Sequence, residues 1–277
     1  CCLMTVQLMA QTDKKAEAHQ KGKLAVKLMD EGDIEQSLKL LKEAAKLDPK
    51  NMNYPYETAY AYYLKKDCKA AIKKLKSLDK HPDVNPLVYQ LLGNSYSMND
   101  QREKAIQAYE RGLKKFPNAG RLYLERGNLE MFIEQYGNAL SFYEKGIAVE
   151  PNYPSNYFWA AKLYCSSTEE VWGMIYGELF MNLERNTKRT SEISKLLFNT
   201  YKREIDFVDD TTITVSFSKN NRIDASKISA DGQLLLPFGL MAYEPTLLMA
   251  ILDESAIDLH ALNRIRSRFL DHYYTLN

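Results

Sequence analysis

Tryptophan, histidine and cysteine are scarce in this chain, with two, four and four copies among 277 residues, and neither charge sign dominates, since 37 basic side chains meet 36 acidic ones. Few histidines leave little for metal chemistry. None of His19, His81, His260 and His272 has a second ligand at a zinc-binding spacing on its own helix, and His260 and His272 stand too far apart along one helix axis to share an ion. The twelve glycines build no phosphate-cradling loop and no nucleophile elbow. The charge balance removes any global argument for nucleic acid, and no internal stretch is long and apolar enough to span a bilayer. These absences predict a non-catalytic chain with no metal, no cofactor, no nucleic-acid partner and no transmembrane segment.

The first ten residues, Cys1 to Ala10, are apolar, end on a small residue and give way to the polar Gln11-Thr12-Asp13-Lys14-Lys15, as the end of a secretory signal peptide does. That pattern predicts an exported protein, periplasmic or envelope-associated, whose mature chain begins near Gln11 with residues 11–17 as a leader. Acylation of Cys1 or Cys2, as in a lipoprotein, fits less well, because an apolar stretch follows where a polar tether belongs.

What the chain does have is a beat. Pro49, Pro117 and Pro151 lie 68 and 34 residues apart, and a fixed period of this length marks a solenoid of stacked helix pairs. Aligning on the prolines gives units 18–51, 52–85, 86–119 and 120–153. Small residues recur at the eighth place (Ala25, Ala59, Gly93, Gly127) and the twentieth (Ser37, Ala71, Ala105, Ala139), where they let helix backbones approach closely. The twenty-fourth place is large: Leu41, Leu75, Tyr109, Tyr143. Between the halves stand mostly polar breaks, Glu31-Gly32-Asp33, Lys66-Asp67, Asn99-Asp100 and Ile133-Glu134, where tight turns are expected.

These residues resemble the tetratricopeptide repeat, most closely in the third unit, with Tyr89, Leu92-Gly93, Tyr96, Ala105, Tyr109, Gly112 and Pro117. The resemblance covers residues 18–153 and implies an all-α solenoid, a right-handed superhelix of helix-turn-helix repeats. The departures carry expectations of their own. Lys21 replaces the early large residue of the first unit, as suits a terminal repeat. Pro82 with Asp83 offsets the turn closing the second. Arg126 and Glu130 occupy apolar places in the fourth, so Leu129 and Met131 are expected to share the packing.

Residues 154–206 read as a degenerate fifth repeat with a capping helix. Its second helix is predicted to start at the capping box Ser167-Thr168-Glu169-Glu170, and Gly173 and Gly177 to pack closely within it. A further helix is predicted over Ser191 to Ile205. Beyond it, residues 207–277 form a mostly helical α/β segment with one short strand, Thr211 to Phe217, turn signals at Asn220-Asn221 and Asp231-Gly232, and helices over Phe238 to Leu252 and Asp258 to Tyr274, the last carrying Leu259, Leu262, Ile265, Phe269 and Tyr273 on one side. Cys68 and Cys165 sit three repeats apart, beyond disulfide reach, and are predicted to be free, buried thiols. The lysines from Lys65 to Lys80 read as the solvated convex face of the second unit.

In tetratricopeptide-repeat proteins the groove is lined by the first helix of each unit, at the second, fifth, ninth, twelfth and thirteenth places. The resemblance therefore implies a peptide- or protein-binding groove formed by Asn53, Tyr56, Tyr60 and Tyr63, by Gln90 and Asn94, by Arg121, Leu124, Asn128 and Phe132, and by Phe158 and Lys162. Leu64 and Met98 share the thirteenth place with Phe132. Tyrosines offer rigid area with a polar tip, and an amide both donates to and accepts from a peptide backbone. A carboxylate clamp is not reproduced, because Gly22, Val26 and Glu57 stand where basic or polar groups would be needed. The expected partner is thus a protein or peptide, either external or the protein's own C-terminal part. A homodimer, and a platform for a ligand-binding or catalytic C-terminal domain, stay open as alternatives.

Overall fold

The computed structural model of the chain describes residues 2–209, 212–219 and 237–276. Two compact units divide it, residues 1–135 and 136–277. The first consists of α1 (Cys2–Asp30), α2 (Ile34–Leu47), α3 (Asn53–Leu64), α4 (Cys68–Leu78), α5 (Pro86–Met98), α6 (Arg102–Lys115) and α7 (Gly120–Phe132). The second helix of each pair begins at 34, 68 and 102, one period apart. The backbone of Cys2–Ala10, the apolar start of the sequence, forms the first part of α1.

The polar breaks all solve the same steric problem. Gly32, Lys66, Asp100 and Glu134 each take a positive φ, 88°, 62°, 55° and 60°. One residue on, the N–H groups of Asp33, Asp67, Gln101 and Gln135 donate to the carbonyls of Leu28, Tyr62, Tyr96 and Glu130, so each first helix ends in a Schellman-type closure. Only Gly32 takes the left-handed conformation without steric cost. The carboxylates of Asp33 and Asp67 then cap α2 and α4, accepting the N–H of Gln36 at 3.1 Å and Ala70 at 3.0 Å.

Every small or large place of the period is buried where the structure describes it in this unit: Ala25, Ala59, Gly93 and Gly127, Ser37, Ala71 and Ala105, Leu41, Leu75 and Tyr109. Gly93 shows why the eighth place must be small. A Cβ there would lie 2.6 Å from Tyr109 Cδ1 and nearer still to Cε1 and Cζ. As the offset prolines suggested, α4 stops at Leu78, about one turn earlier in the period than α2 and α6, and Asn85 restarts the chain by accepting the Leu87 N–H at 3.0 Å.

The polar pair of the fourth repeat is not replaced by its neighbours. Leu129 is buried, yet so are Arg126 and Glu130. Arg126 donates from Nη1 to Glu130 at 3.2 Å and from Nε to Glu110 at 2.8 Å, and Arg102 approaches Glu130 at 3.4 Å. Charge compensation keeps them inside.

In the second unit, α8 (Tyr136–Val149) and α9 (Pro154–Tyr164) are followed by α10 (Glu170–Leu183), α11 (Lys188–Glu204), the strands β1 (Ile205–Asp209) and β2 (Thr212–Val215), a π-helical turn (Gly239–Tyr243) running into α12 (Glu244–Ile251), and α13 (Leu259–Leu276). One core joins Phe158, Met174, Phe180, Leu197, Phe217, Leu247 and Ile265. Gly173 and Gly177 pack as expected: a Cβ on the former would meet Cys165 Sγ at 2.5 Å, and on the latter Leu197 Cδ2 at 2.7 Å. Cys68 and Cys165 are free and buried, and burial pushes the Cys165 thiol up to about 12.

Four sequence expectations are corrected here. The strand over Thr212–Val215 is not alone; it pairs antiparallel with β1, with Ile205 opposite Val215 and Phe207 opposite Ile213. The Ser167 capping box does not form. Ser167 Oγ accepts the Glu169 N–H, α10 begins at Glu170, and the Glu170 carboxylate is taken by Arg203 at 2.9 Å and Lys219 at 3.3 Å. The capping box that does form joins Thr187 and Thr190 and starts α11 at Lys188, ahead of Ser191. Leu259 is exposed rather than part of the buried face that holds Leu262 and Ile265. Pro245 sits in the first turn of α12, directly after the π-helical turn. The turn signals Asn220-Asn221 and Asp231-Gly232 lie outside the described residues.

Candidate peptide-binding groove

The first helices α3, α5 and α7 pack side by side in the first unit, and their shared face borders a groove of about 620 Å³. Tyr63 from α3, Asn94, Ser97 and Met98 from α5, and Asn128 and Phe132 from α7 line it, with Arg102 and Tyr109 of α6 contributing from beneath. Helical periodicity brings them together: the ninth, twelfth and thirteenth places lie on one side of each first helix. The ninth place gives a polar row in α5 and α7, Asn94 and Asn128. The thirteenth gives an apolar row across all three helices, with Leu64 and Met98 each 41% exposed and Phe132 85% exposed.

The polar row is anchored from behind. Tyr109 donates its hydroxyl to Asn94 Oδ1, so the Asn94 carboxamide turns its N–H₂ donors elsewhere. Tyr109 can reach Asn94 because Gly93 leaves room for its ring. Asn128 donates to Glu125 Oε2 at 3.3 Å, and Gln90 donates to Glu125 Oε1 at 2.8 Å. Glu125, half-buried in the groove wall, thus ties α5 to α7. The phenols of Tyr63 and Tyr109 are both held above their ordinary value, first by burial and then by the charge of Glu125, so both stay protonated at neutral pH.

The remaining predicted residues are distributed differently. Tyr60 is exposed and stacks on Tyr63, with centroids 6.4 Å apart and planes 16° from parallel. Tyr56 is half-buried against the core of the middle repeats, and burial pushes its phenol up to about 12. Arg121 is half-buried. Asn53 lines a separate groove of about 290 Å³ with His19, Gly22, Tyr54 and Glu57, where burial raises the Glu57 carboxyl. Leu124 and Phe158 are buried, so neither side chain is presented at a surface. Phe158 packs against Phe180 with Lys162 and Arg189 over its face, and Lys162 is further held by Glu192 at 2.6 Å. In the second unit, then, aromatic packing and an ion pair occupy the places that a groove would need.

Sequence reasoning missed Glu125, Tyr109, Arg102 and Asp100. Glu125 carried a usable signal, since it precedes Asn128 by three residues and so shares its helix face. Tyr109 was read only as packing, because a period assigns a place and not the direction of a hydroxyl. Among the described residues, no group of three His, Cys, Asp or Glu side chains could hold a metal ion, and no helix is long and apolar enough to cross a membrane.

Comparison with known proteins bears on the repeat fold. Tetratricopeptide-repeat family models match residues 23–84, 87–117 and 120–153. None of the curated proteins matches the chain. Among solved structures, a thermophilic tetratricopeptide-repeat protein of Thermus thermophilus, TTC0263, is similar at TM-score 0.52 and 17% identity, covering 65% of this chain and 98% of that one. PilF of Pseudomonas aeruginosa is similar at TM-score 0.52 and 18% identity, covering 69% and 93%. PilW, a type IV pilus biogenesis factor, reaches TM-score 0.51 and 18% identity, covering 67% and 84%. At such identities the likeness concerns the fold. The family matches, with the period of small and large residues and the repeated left-handed turns, show that tetratricopeptide repeats build residues 23–153.

Proposed function

We propose that this chain is a non-catalytic interaction scaffold that binds an extended peptide segment in the groove of α3, α5 and α7. Tetratricopeptide repeats are protein- and peptide-binding modules, and one observation carries the reading to this surface. Asn94 of α5 and Asn128 of α7 line the groove beside the exposed Met98 and Phe132, and the exposed Leu64 holds the same place of the period in α3. Amides one repeat apart suit the backbone of a segment lying across the helices, and the apolar row suits its side chains. Nothing in the packing of the first unit requires Phe132 to be aromatic, because it is almost wholly exposed.

Affinity capture from cell extract tests this, comparing wild type with Asn94→Ala/Asn128→Ala and with Phe132→Ser, each checked for native circular dichroism. Partners recovered with wild type are expected to be lost with both variants. Equal recovery of every captured protein refutes the groove as the binding surface.

A further inference from the structure

Glu125 is an ionisable group held in place by neutral partners. Arg126 pairs with Glu110 and Glu130, and Arg102 with Glu130. Among the described residues no ion pair engages Glu125; its partners are the neutral amides of Gln90 and Asn128. A carboxylate offers about four acceptor positions, so these two bonds fix its direction and leave room for further donors. Asp100, a second carboxylate, lines the same groove. Among the described residues lining the groove, two are acidic and one, Arg102, is basic, and the charge of Arg102 is turned toward Glu130.

The apolar row supplies a spacing. Packed helices stand about 8–10 Å apart, so Leu64, Met98 and Phe132 recur at roughly that interval across α3, α5 and α7. A polyproline-II segment advances about 3.1 Å per residue with three residues per turn, so its every third side chain returns to one face after about 9 Å. Strict β-extension would instead turn the third residue to the opposite face.

We infer that the segment bound in this groove has apolar residues three apart in a polyproline-II-like conformation and, between two of them, a lysine or arginine that seats against Glu125. This rests on the groove reading above and adds to it the chemical class of the ligand. Arginine fits better where the planar fork can reach both carboxylate oxygens. The charged pair selects partners and register more than it adds bulk affinity.

The experiment is selection of a random dodecapeptide display library on wild-type protein and on Glu125→Gln, followed by titration of synthetic peptides from the winning sequences. Wild type is expected to enrich apolar residues three apart with a basic residue between them. Glu125→Gln should keep the apolar spacing and lose the basic preference. Replacing that basic residue by glutamine should weaken binding to wild type about three- to tenfold at low salt, less as salt rises, and should leave binding to Glu125→Gln unchanged. Glu125→Lys provides a second arm that does not depend on the Gln90 and Asn128 bonds, and it should select an acidic residue at the same offset. Apolar enrichment without basic preference on wild type, or the same basic preference on Glu125→Gln, overturns the inference while leaving the groove reading intact. Enrichment that is identical on a Met98→Ser/Phe132→Ser variant overturns both.

Discussion

Replacing Gly93 by alanine tests how packing and the groove are joined. The change adds one carbon to α5, at a point 2.6 Å from Tyr109 Cδ1 and closer to two other ring atoms. Real side chains do not come so near, so something must move. Tyr109 is fully buried, so its ring cannot swing into solvent, and overpacking of this kind costs about 1–3 kcal/mol. Displacing the ring also loosens the Tyr109–Asn94 hydrogen bond, worth about 0.5–1.5 kcal/mol. Against this stands the better helix propensity of alanine, about 1 kcal/mol. The balance is a loss of about 2 kcal/mol, which lowers a urea midpoint by about 1 M at an ordinary dependence on denaturant. Gly137→Ala is the control, because a Cβ there meets nothing within 4 Å, and the same propensity argument predicts a gain of up to about 1 kcal/mol. Urea unfolding followed by far-ultraviolet circular dichroism reads both. If Gly93→Ala matches or exceeds wild type, the ring is not locked where the structure places it, and the anchoring of Asn94 fails with it.

Two other predictions concern charge. Arg126→Met leaves Glu130 buried with only the 3.4 Å contact to Arg102, and should destabilise by about 3 kcal/mol in the same urea assay, whereas Arg126→Met with Glu130→Leu should recover most of the loss; an additive double variant argues against a compensated pair. Asp79 accepts the Tyr89 hydroxyl at 2.6 Å and pairs with Arg111, and these partners, Tyr89 foremost, hold its carboxyl below the ordinary 3.8. A depressed carboxyl stabilises above its unfolded value and loses that contribution as pH falls through the folded one, so the stability gap between wild type and Asp79→Asn should be widest above pH 4 and close below it; a gap that grows on acidification would reverse the assignment.

How much of this was legible in the residues depended on whether a feature repeats. The small places at Ala25, Ala59 and Gly93 and the turns at Gly32, Lys66 and Asp100 recur at one period, so each occurrence confirmed the others, and the helices follow that register. Past Pro154 the support disappears. The sequence places Ile205, the first residue of β1, at the end of a helix, where it follows the apolar face of Ile193, Leu197 and Tyr201, and gives no sign of the strand that pairing with β2 makes of residues 205–209. Ser167 and Glu170 have the spacing of a capping box, but Arg203 and Lys219, far along the chain, compete for the Glu170 carboxylate. A tertiary ion pair of this kind leaves no local mark.

The groove lies between these cases. Its places follow from the period, and the period brought Tyr63, Asn94, Asn128 and Phe132 to one surface. It could not say which side chain at a groove place faces inward. Leu124 occupies such a place and is buried, while Glu125, one residue on and 100° around the helix, turns toward Gln90 and the groove. A first helix packed on both sides has only a narrow free face, so a small rotation decides which of two adjacent residues a ligand meets. Glu125 is fixed on that face by bonds to two helices, its own α7 through Asn128 and α5 through Gln90. In the binding mode proposed above, the specificity of the groove is set by the contact between repeats as much as by the residues of either one, and moving Glu125 to another repeat without Gln90 behind it would not transfer that specificity.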